Sequence, residues 1–387
     1  MQSDTFQTEL INFTQSVIRE NSLSGKEEAV GSLFAAKMED LGFDTVQVDR
    51  YGNVIGIRKG NKPGPTILFD GHMDVVPVTN PETWSIDPFG AQIRDGKIWG
   101  RGASDMKGPL SAAVIGIGQV PADEIHGTLV VSGTVCEEYH EGAAVKKVVE
   151  QVHPDFVVIC EPNGSKLGIG QKGRAGLWVE VTGKPAHSSV PHLGENAVYK
   201  ALPFIERLCR MPLPSCPSLG DGVMELIDAI SSPLPSRSTL PVSFKMRYDR
   251  RLMPGETMDS VLASIHEVLG DLPDWQTGFG TVHMDTYTNE VLEAPDFHPG
   301  WLTPKDSPWV LKAWQALQTA GMDPIFGSSQ FCTNGSYTAG FANLPTIIFG
   351  PSSGMLAHCI DEHIGVDELI LGARGYAELA KILGRPD

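Results

Sequence analysis

Short apolar runs that each end in a polar or charged loop constrain this chain more than any other feature of its sequence. Val54–Ile57, Thr66–Phe69, Thr128–Ser132 and Phe156–Ile159 are rich in Val, Ile, Leu and Phe, as strands are. Helical stretches near 108–119 and 142–152 separate the later runs. Upstream, apolar spacing predicts helices over 4–20 and 26–41, through Leu10, Phe13, Val17 and Ile18, then Val30, Leu33, Phe34 and Met38. Gly42 stands where such a helix should stop. Strands alternating with helices predict an α/β fold, a sheet with helices packed on its faces.

The middle of the chain breaks this pattern. Leu177, Val179 and Val181 alternate as on a one-sided strand, and a helix is expected from about Glu195 to Arg210. Pro- and Ser-rich loops follow at Met211–Gly222 and Ser231–Ser238. A strand at Val242–Tyr248, a helix at about 256–269 and a strand near 279–287 complete an α+β segment. The α/β pattern then resumes, with a helix near 308–319, the strand Thr346–Phe349 and a helix near 366–383. An inserted domain fits this order better than two domains in series. The expected boundaries are 1–173 and 290–387 for one discontinuous domain and 174–289 for the insert.

Composition serves mainly to exclude. The 387 residues carry 47 acidic against 30 basic side chains, a formal charge of −17. A general nucleic-acid binder needs a basic stripe to neutralise phosphates, and an anionic membrane surface would repel this chain. No apolar run approaches the roughly 20 residues of a membrane helix. The segment MQSDTFQTELINFTQ lacks the basic-then-apolar order of a secretion signal. Six scattered cysteines without a CxxC pair predict reduced thiols in a cytoplasmic protein.

The chemistry collects where strands end. Phe69-Asp70-Gly71-His72-Met73-Asp74 presents an imidazole and a carboxylate two residues apart, so that Asp74 can hold the His72 tautomer. Asp105 lies in Gly100-Arg101-Gly102-Ala103-Ser104-Asp105-Met106-Lys107-Gly108, just before a helix, where a capping role is its ordinary alternative. Glu137 and Glu138 follow a hydrophobic strand, Glu161 sits in Cys160-Glu161-Pro162, and His358 in Ala357-His358-Cys359-Ile360-Asp361-Glu362. Each has a bland explanation alone. Together His72, Asp105, Glu138, Glu161 and His358 supply two imidazoles and three carboxylates, which suits a pair of divalent cations, zinc above all, with cobalt or manganese as alternatives. Sites in open α/β sheets form at the carboxyl ends of strands.

The ordered set GHMDVVP, GRGASDMKG, EE, CEP and AHCIDE resembles the M20 family of zinc metallopeptidases and amidohydrolases, over essentially the whole chain. The resemblance implies a catalytic domain with a mixed sheet flanked by helices and an inserted ferredoxin-like α+β lid or dimerisation domain. It implies that Asp105 bridges two metals, one completed by His72 and Glu161 and the other by Glu138 and His358. Glu137 would be the general base and Asp74 would orient His72. Gly183-Lys184-Pro185-Ala186-His187 resembles the family segment whose histidine stabilises the oxyanion in a partner subunit. Asp249-Arg250-Arg251…Pro254-Gly255 makes Arg251 the candidate for a substrate carboxylate, with a salt bridge to Asp249 as the alternative. Asn196, in Gly194-Glu195-Asn196-Ala197, matches another segment near substrate.

The loop Cys332-Thr333-Asn334-Gly335-Ser336 departs from the family's usual Gly-Thr-Asp or Gly-Gly-Thr. With Gly327-Ser328-Ser329 it resembles a bacterial branch linked to selenium metabolism, and Asn334 is taken as a substrate contact. The implied function is hydrolysis of an amide in a small carboxylate-bearing substrate of the N-acyl amino acid type. The alternatives are a dipeptidase or carboxypeptidase of the same family, or a non-catalytic metal-binding protein. No nucleic acid or membrane partner is expected, and the insert is expected to form a homodimer. A serine hydrolase would need a G-x-S-x-G elbow, which the sequence lacks.

Overall fold

The apolar runs become the parallel centre of a large sheet in the computed structural model, which describes residues 4–386. His126–Thr134, Lys62–His72, Phe156–Ile159 and Thr346–Ile348 lie side by side in that order, and each neighbouring pair is parallel. Val54–Lys59 and then Thr45–Val48 extend the sheet antiparallel on one side. Leu167–Gln171 joins antiparallel on the other, with Phe326–Ser329 parallel to it. The sheet is therefore mixed, as expected. Phe156, Val157, Val158 and Ile159 are all buried, which is why this strand reads as a continuous apolar run and not as an alternation.

Helices cover both faces. In Lys107–Gly118 every residue from Lys107 to Ile117 is buried, and the helix packs against Val366–Ile382 and Asp4–Arg19. Gly116 lies flush on the Ala373 backbone, where a Cβ would have no room. Because the four central strands run the same way, their carboxyl ends open at one edge of the sheet. That edge positions the loops described below.

The chain divides into two compact units. One holds the described residues up to Gln171, then His283–Glu293 and the residues from Leu302 onward; the other holds Lys172–Val282 and Ala294–Trp301. Residues 1–3 and 387 of the expected catalytic segments lie outside the described residues.

The second unit is built on an antiparallel sheet in the order Val223–Ser232, Ser243–Leu252, Gly173–Thr182, Trp275–Phe279. Leu177, Val179 and Val181 face its core with Phe204, Leu208, Met246, Ile265 and Leu269. The expected helix over 195–210 is broken into Ala197–Lys200 and Leu202–Cys209. Pro203, which has no N–H to donate, falls in the first turn of the second piece. The strand expected near 279–287 is two strands, Trp275–Phe279 and Thr281–Asp285. Among the described residues no helix is long and apolar enough to cross a membrane.

Candidate metal centre

Two parallel strands and three loops bring the five expected ligands into two adjoining groups. His72, Asp105 and Glu161 form one, and Asp105, Glu138 and His358 the other; within each, one donor atom per residue lies within 4.8 Å of the rest. Asp105 belongs to both. Its Oδ1 is 3.1 Å from His72 Nε2, while its Oδ2 is 3.5 Å from His358 Nε2. A single carboxylate thus turns one oxygen toward each imidazole. Glu161 Oε1 stands 3.6 Å from His72 Nε2, and Glu138 Oε2 2.9 Å from His358 Nε2.

The backbone explains how each group is aimed. His72 is the last residue of its strand, and its Nδ1 meets the Asp74 carbonyl oxygen at 3.0 Å and the Asp74 carboxylate at 3.5 Å. The Asp74 carboxylate also accepts from the Glu137 and Glu138 amides, at 3.1 Å each, and from the Ser24 hydroxyl at 2.6 Å. Cys136, at φ 58°, turns the chain sharply after Thr134 so that Glu137 and Glu138 leave the strand in different directions. His358 likewise has φ 60°.

Charge is unevenly balanced here. Burial, reinforced by Glu161, Glu141 and Glu138, holds the Glu137 carboxyl well above the usual range against the pull of His72. Burial and the neighbouring Asp105 do the same to Glu161, and push Glu138 up to about 7. Burial alone would lower the His72 imidazole, but Glu137, Asp105, Asp74 and Glu161 outweigh it and raise its pKa well above normal. Glu137 Oε1 and Glu138 Oε1 are buried and have no hydrogen-bond partner. Four clustered carboxylates with two imidazoles and two orphaned oxygens would cost several kcal/mol unless cations balance them. The mixed nitrogen and oxygen donor set suits a small divalent transition metal, so the residues fit the expected cofactor.

Three supporting residues escaped the sequence reasoning. The buried Glu362 accepts from the Ser104 and Asp105 amides through Oε1, at 2.8 and 2.9 Å, and pairs with Arg101 through Oε2 at 2.5 Å. Glu27 Oε1 accepts from the Gly25 and Cys136 amides at 2.9 and 3.0 Å. Burial, with Asp74 nearby, pushes the Glu27 carboxyl up to about 7. Arg101 and Glu362 stand inside the motifs already quoted, which is the signal that could have found them. Glu27 sits in an ordinary charged stretch and carries none.

The expected substrate contacts fare differently. Asn334 lies at the end of the loop that follows Phe326–Ser329. Its side chain is buried and committed to the protein, donating to Asp70 at 2.8 Å and Thr134 at 3.1 Å and accepting from the Gly142 amide at 2.8 Å. These bonds use both amide hydrogens and one lone pair of Oδ1. Asn196 Oδ1 caps the helix Ala197–Lys200 by accepting from the Val198 and Tyr199 amides. Arg251 is partly exposed and paired with Asp249 at 2.9 Å, the alternative weighed for it. His187 is exposed, with Nδ1 2.7 Å from the Ser189 hydroxyl.

A sheet of this topology with paired carboxylate and imidazole triads at its carboxyl edge defines a metallohydrolase architecture. The chain belongs to the peptidase family M20/M25/M40, whose model matches residues 68–382. It is 31% identical over 389 aligned residues to the uncharacterized protein YgeY of Escherichia coli (strain K12), covering 97% of this chain and 94% of the relative. It is 26% identical to succinyl-diaminopimelate desuccinylase 2 of Ruegeria sp. (strain TM1040), with 93% and 91% covered. Among solved structures it resembles the aminopeptidase PepT of Bacillus cereus, with a TM-score of 0.74 at 21% identity and 97% and 98% of the two chains covered. The chain is thus an enzyme, a hydrolase of the metallopeptidase class.

Proposed function

We propose that this hydrolase cleaves the amide bond of a small carboxylate-bearing substrate, of the N-acyl amino acid type, with two divalent metals, zinc foremost. The observation that carries this reading is the shared Asp105, whose two oxygens face the two triads while the buried Glu137 Oε1 stands unpartnered beside them. His72, Asp105 and Glu161 would hold one ion, and Asp105, Glu138 and His358 the other. Such ions supply Lewis-acid charge that polarises a scissile carbonyl and acidifies water.

The chain's own groups do the rest. Glu137 takes a proton from the attacking water at Oε1, the buried oxygen that no protein group occupies, and returns it to the leaving nitrogen. Asp74 keeps the turn carrying Glu137 in place by accepting its amide, and holds His72 by Nδ1. On the second unit, Arg251 is our candidate for the substrate carboxylate, with Asp249 orienting its guanidinium. His187 is our candidate for stabilising the oxyanion, contributed by a second copy of the chain.

A homodimer has its own support. Val223–Ser232 is an edge strand of ten residues, and it exposes Val223, Leu226, Ile227 and Ile230. A long bare edge with apolar side chains is a surface that proteins normally cover. The six scattered cysteines, none of them in a CxxC pair, support a reducing, cytoplasmic setting.

The test is hydrolysis by protein reconstituted with zinc, cobalt or manganese, run against N-acyl amino acids, dipeptides and peptides with a free carboxyl terminus. Cleavage of N-acyl amino acids is expected to dominate. Preference for dipeptides would move the enzyme to the peptidase side of its family, and no cleavage of any amide would overturn the reading.

A further inference from the structure

We infer that Glu362, gripped by Arg101, is a positioning residue that sets the bridging carboxylate of Asp105 between the two triads. The inference deepens the metal-dependent reading above and rests on it.

Asp105 must place two oxygens toward two different imidazoles, so small rotations of its backbone would favour one triad over the other. Two consecutive amides, Ser104 and Asp105, fix that backbone by donating to the same oxygen, Glu362 Oε1. The second oxygen is held by Arg101 Nη1. Arg101 lies four residues before Asp105, and its guanidinium is itself seated over the Trp84 ring, 5.3 Å from the centroid. Glu362 is fully buried and Arg101 nearly so, so solvent cannot substitute for either partner.

Connectivity gives the contact its consequence. Glu362 stands four residues after His358, and the Gly100 amide donates to the Glu362 carbonyl at 2.8 Å. One residue therefore ties the loop of the second triad to the loop of the shared ligand by side chain and backbone. The hydroxyl of Ser104 adds a bond to Ser352 at 2.8 Å, from the same side. An acid that only filled space or balanced Arg101 would have no reason to receive both amides on one oxygen.

The test compares Glu362→Ala, Glu362→Gln and Glu362→Asp with the parent chain, reading metal equivalents, zinc affinity and the visible spectrum of the cobalt-loaded protein. Glu362→Ala is expected to weaken metal binding about 10–100-fold and to alter the cobalt spectrum. Glu362→Gln keeps an oxygen for the two amides and is expected to restore most of the affinity and the parent spectrum. A residue with only a structural role would lower the melting temperature in Ala and Gln alike and leave the spectrum unmoved. Should Glu362→Ala fail to fold, Glu362→Asp decides, because it keeps the charge but cannot reach both partners. A parent-like spectrum and affinity in a folded Ala or Asp variant overturns the inference. Uptake of well under one metal equivalent by the parent chain would instead bring down the metallohydrolase reading beneath it.

Discussion

The two triads share Asp105 and differ in nearly everything else. The His72 side chain is 1% exposed, at the end of a central strand, with its second nitrogen held by Asp74. The His358 side chain is 54% exposed, in a loop that follows the short helical turn Gly354–Leu356. Like donor chemistry in unlike surroundings teaches that residue type and solvent access vary independently between the two groups, so that under the proposed reading the outer half would exchange its metal more readily than the buried one.

The predictions press on that contrast. The largest effect is expected between the triads: Glu137→Gln should lower turnover about 10²–10⁴-fold while elemental analysis finds the metal content kept. Loss of metal instead would make Glu137 a ligand, and the contrast would have to be redrawn with a fourth donor on the buried side. Next, His72→Ala should destabilise the metal-free protein by about 1–3 kcal/mol in denaturant melts, and His358→Ala by no more than about 0.5 kcal/mol. Equal losses would erase the distinction. Third, a chelator should remove metal in two phases, and the half-stripped protein should match His358→Ala in residual metal.

The smallest effect concerns a support under the buried half. The Glu27 carboxyl titrates near 7 when folded against a normal value of 4.5, so the folded state holds the proton more tightly. Stability from this group is greatest below about pH 4.5 and declines as pH rises through 7, by about 1–3 kcal/mol in all. Melts of metal-free Glu27→Gln across that range should show a flatter profile than the parent.

What the sequence made legible follows from how each residue is used. Phe156–Ile159 and Thr66–Phe69 announce themselves because a strand covered on both faces must be apolar throughout. His72 and Glu161 stand out because they close such runs with side chains able to hold a metal, while Asp105 and His358 stand in loops and gain meaning only beside them. Val223–Ser232 has no strand assigned to it from sequence, and its last two residues fall in an expected loop, because an edge strand with little of its surface buried carries no alternation. The internal bonds of Asn334 were not legible, because an amide that joins segments and an amide that binds substrate have the same sequence appearance. Glu27 went unnoticed since its partners are backbone amides, which every residue has and no sequence distinguishes.

The helix Lys107–Gly118, which follows Asp105 directly, has a consequence for how such an enzyme can change. With every residue from Lys107 to Ile117 enclosed and Gly116 seated on a neighbouring backbone, the mounting of the shared ligand has almost no freedom to drift. The exposed parts of the loops at the sheet edge, such as Met355 and Ile360, have no such restraint. Substitutions there can therefore explore new substrates while the spacing between reactive centres stays as inherited, and the scaffold can diversify its chemistry without first giving up its catalytic power.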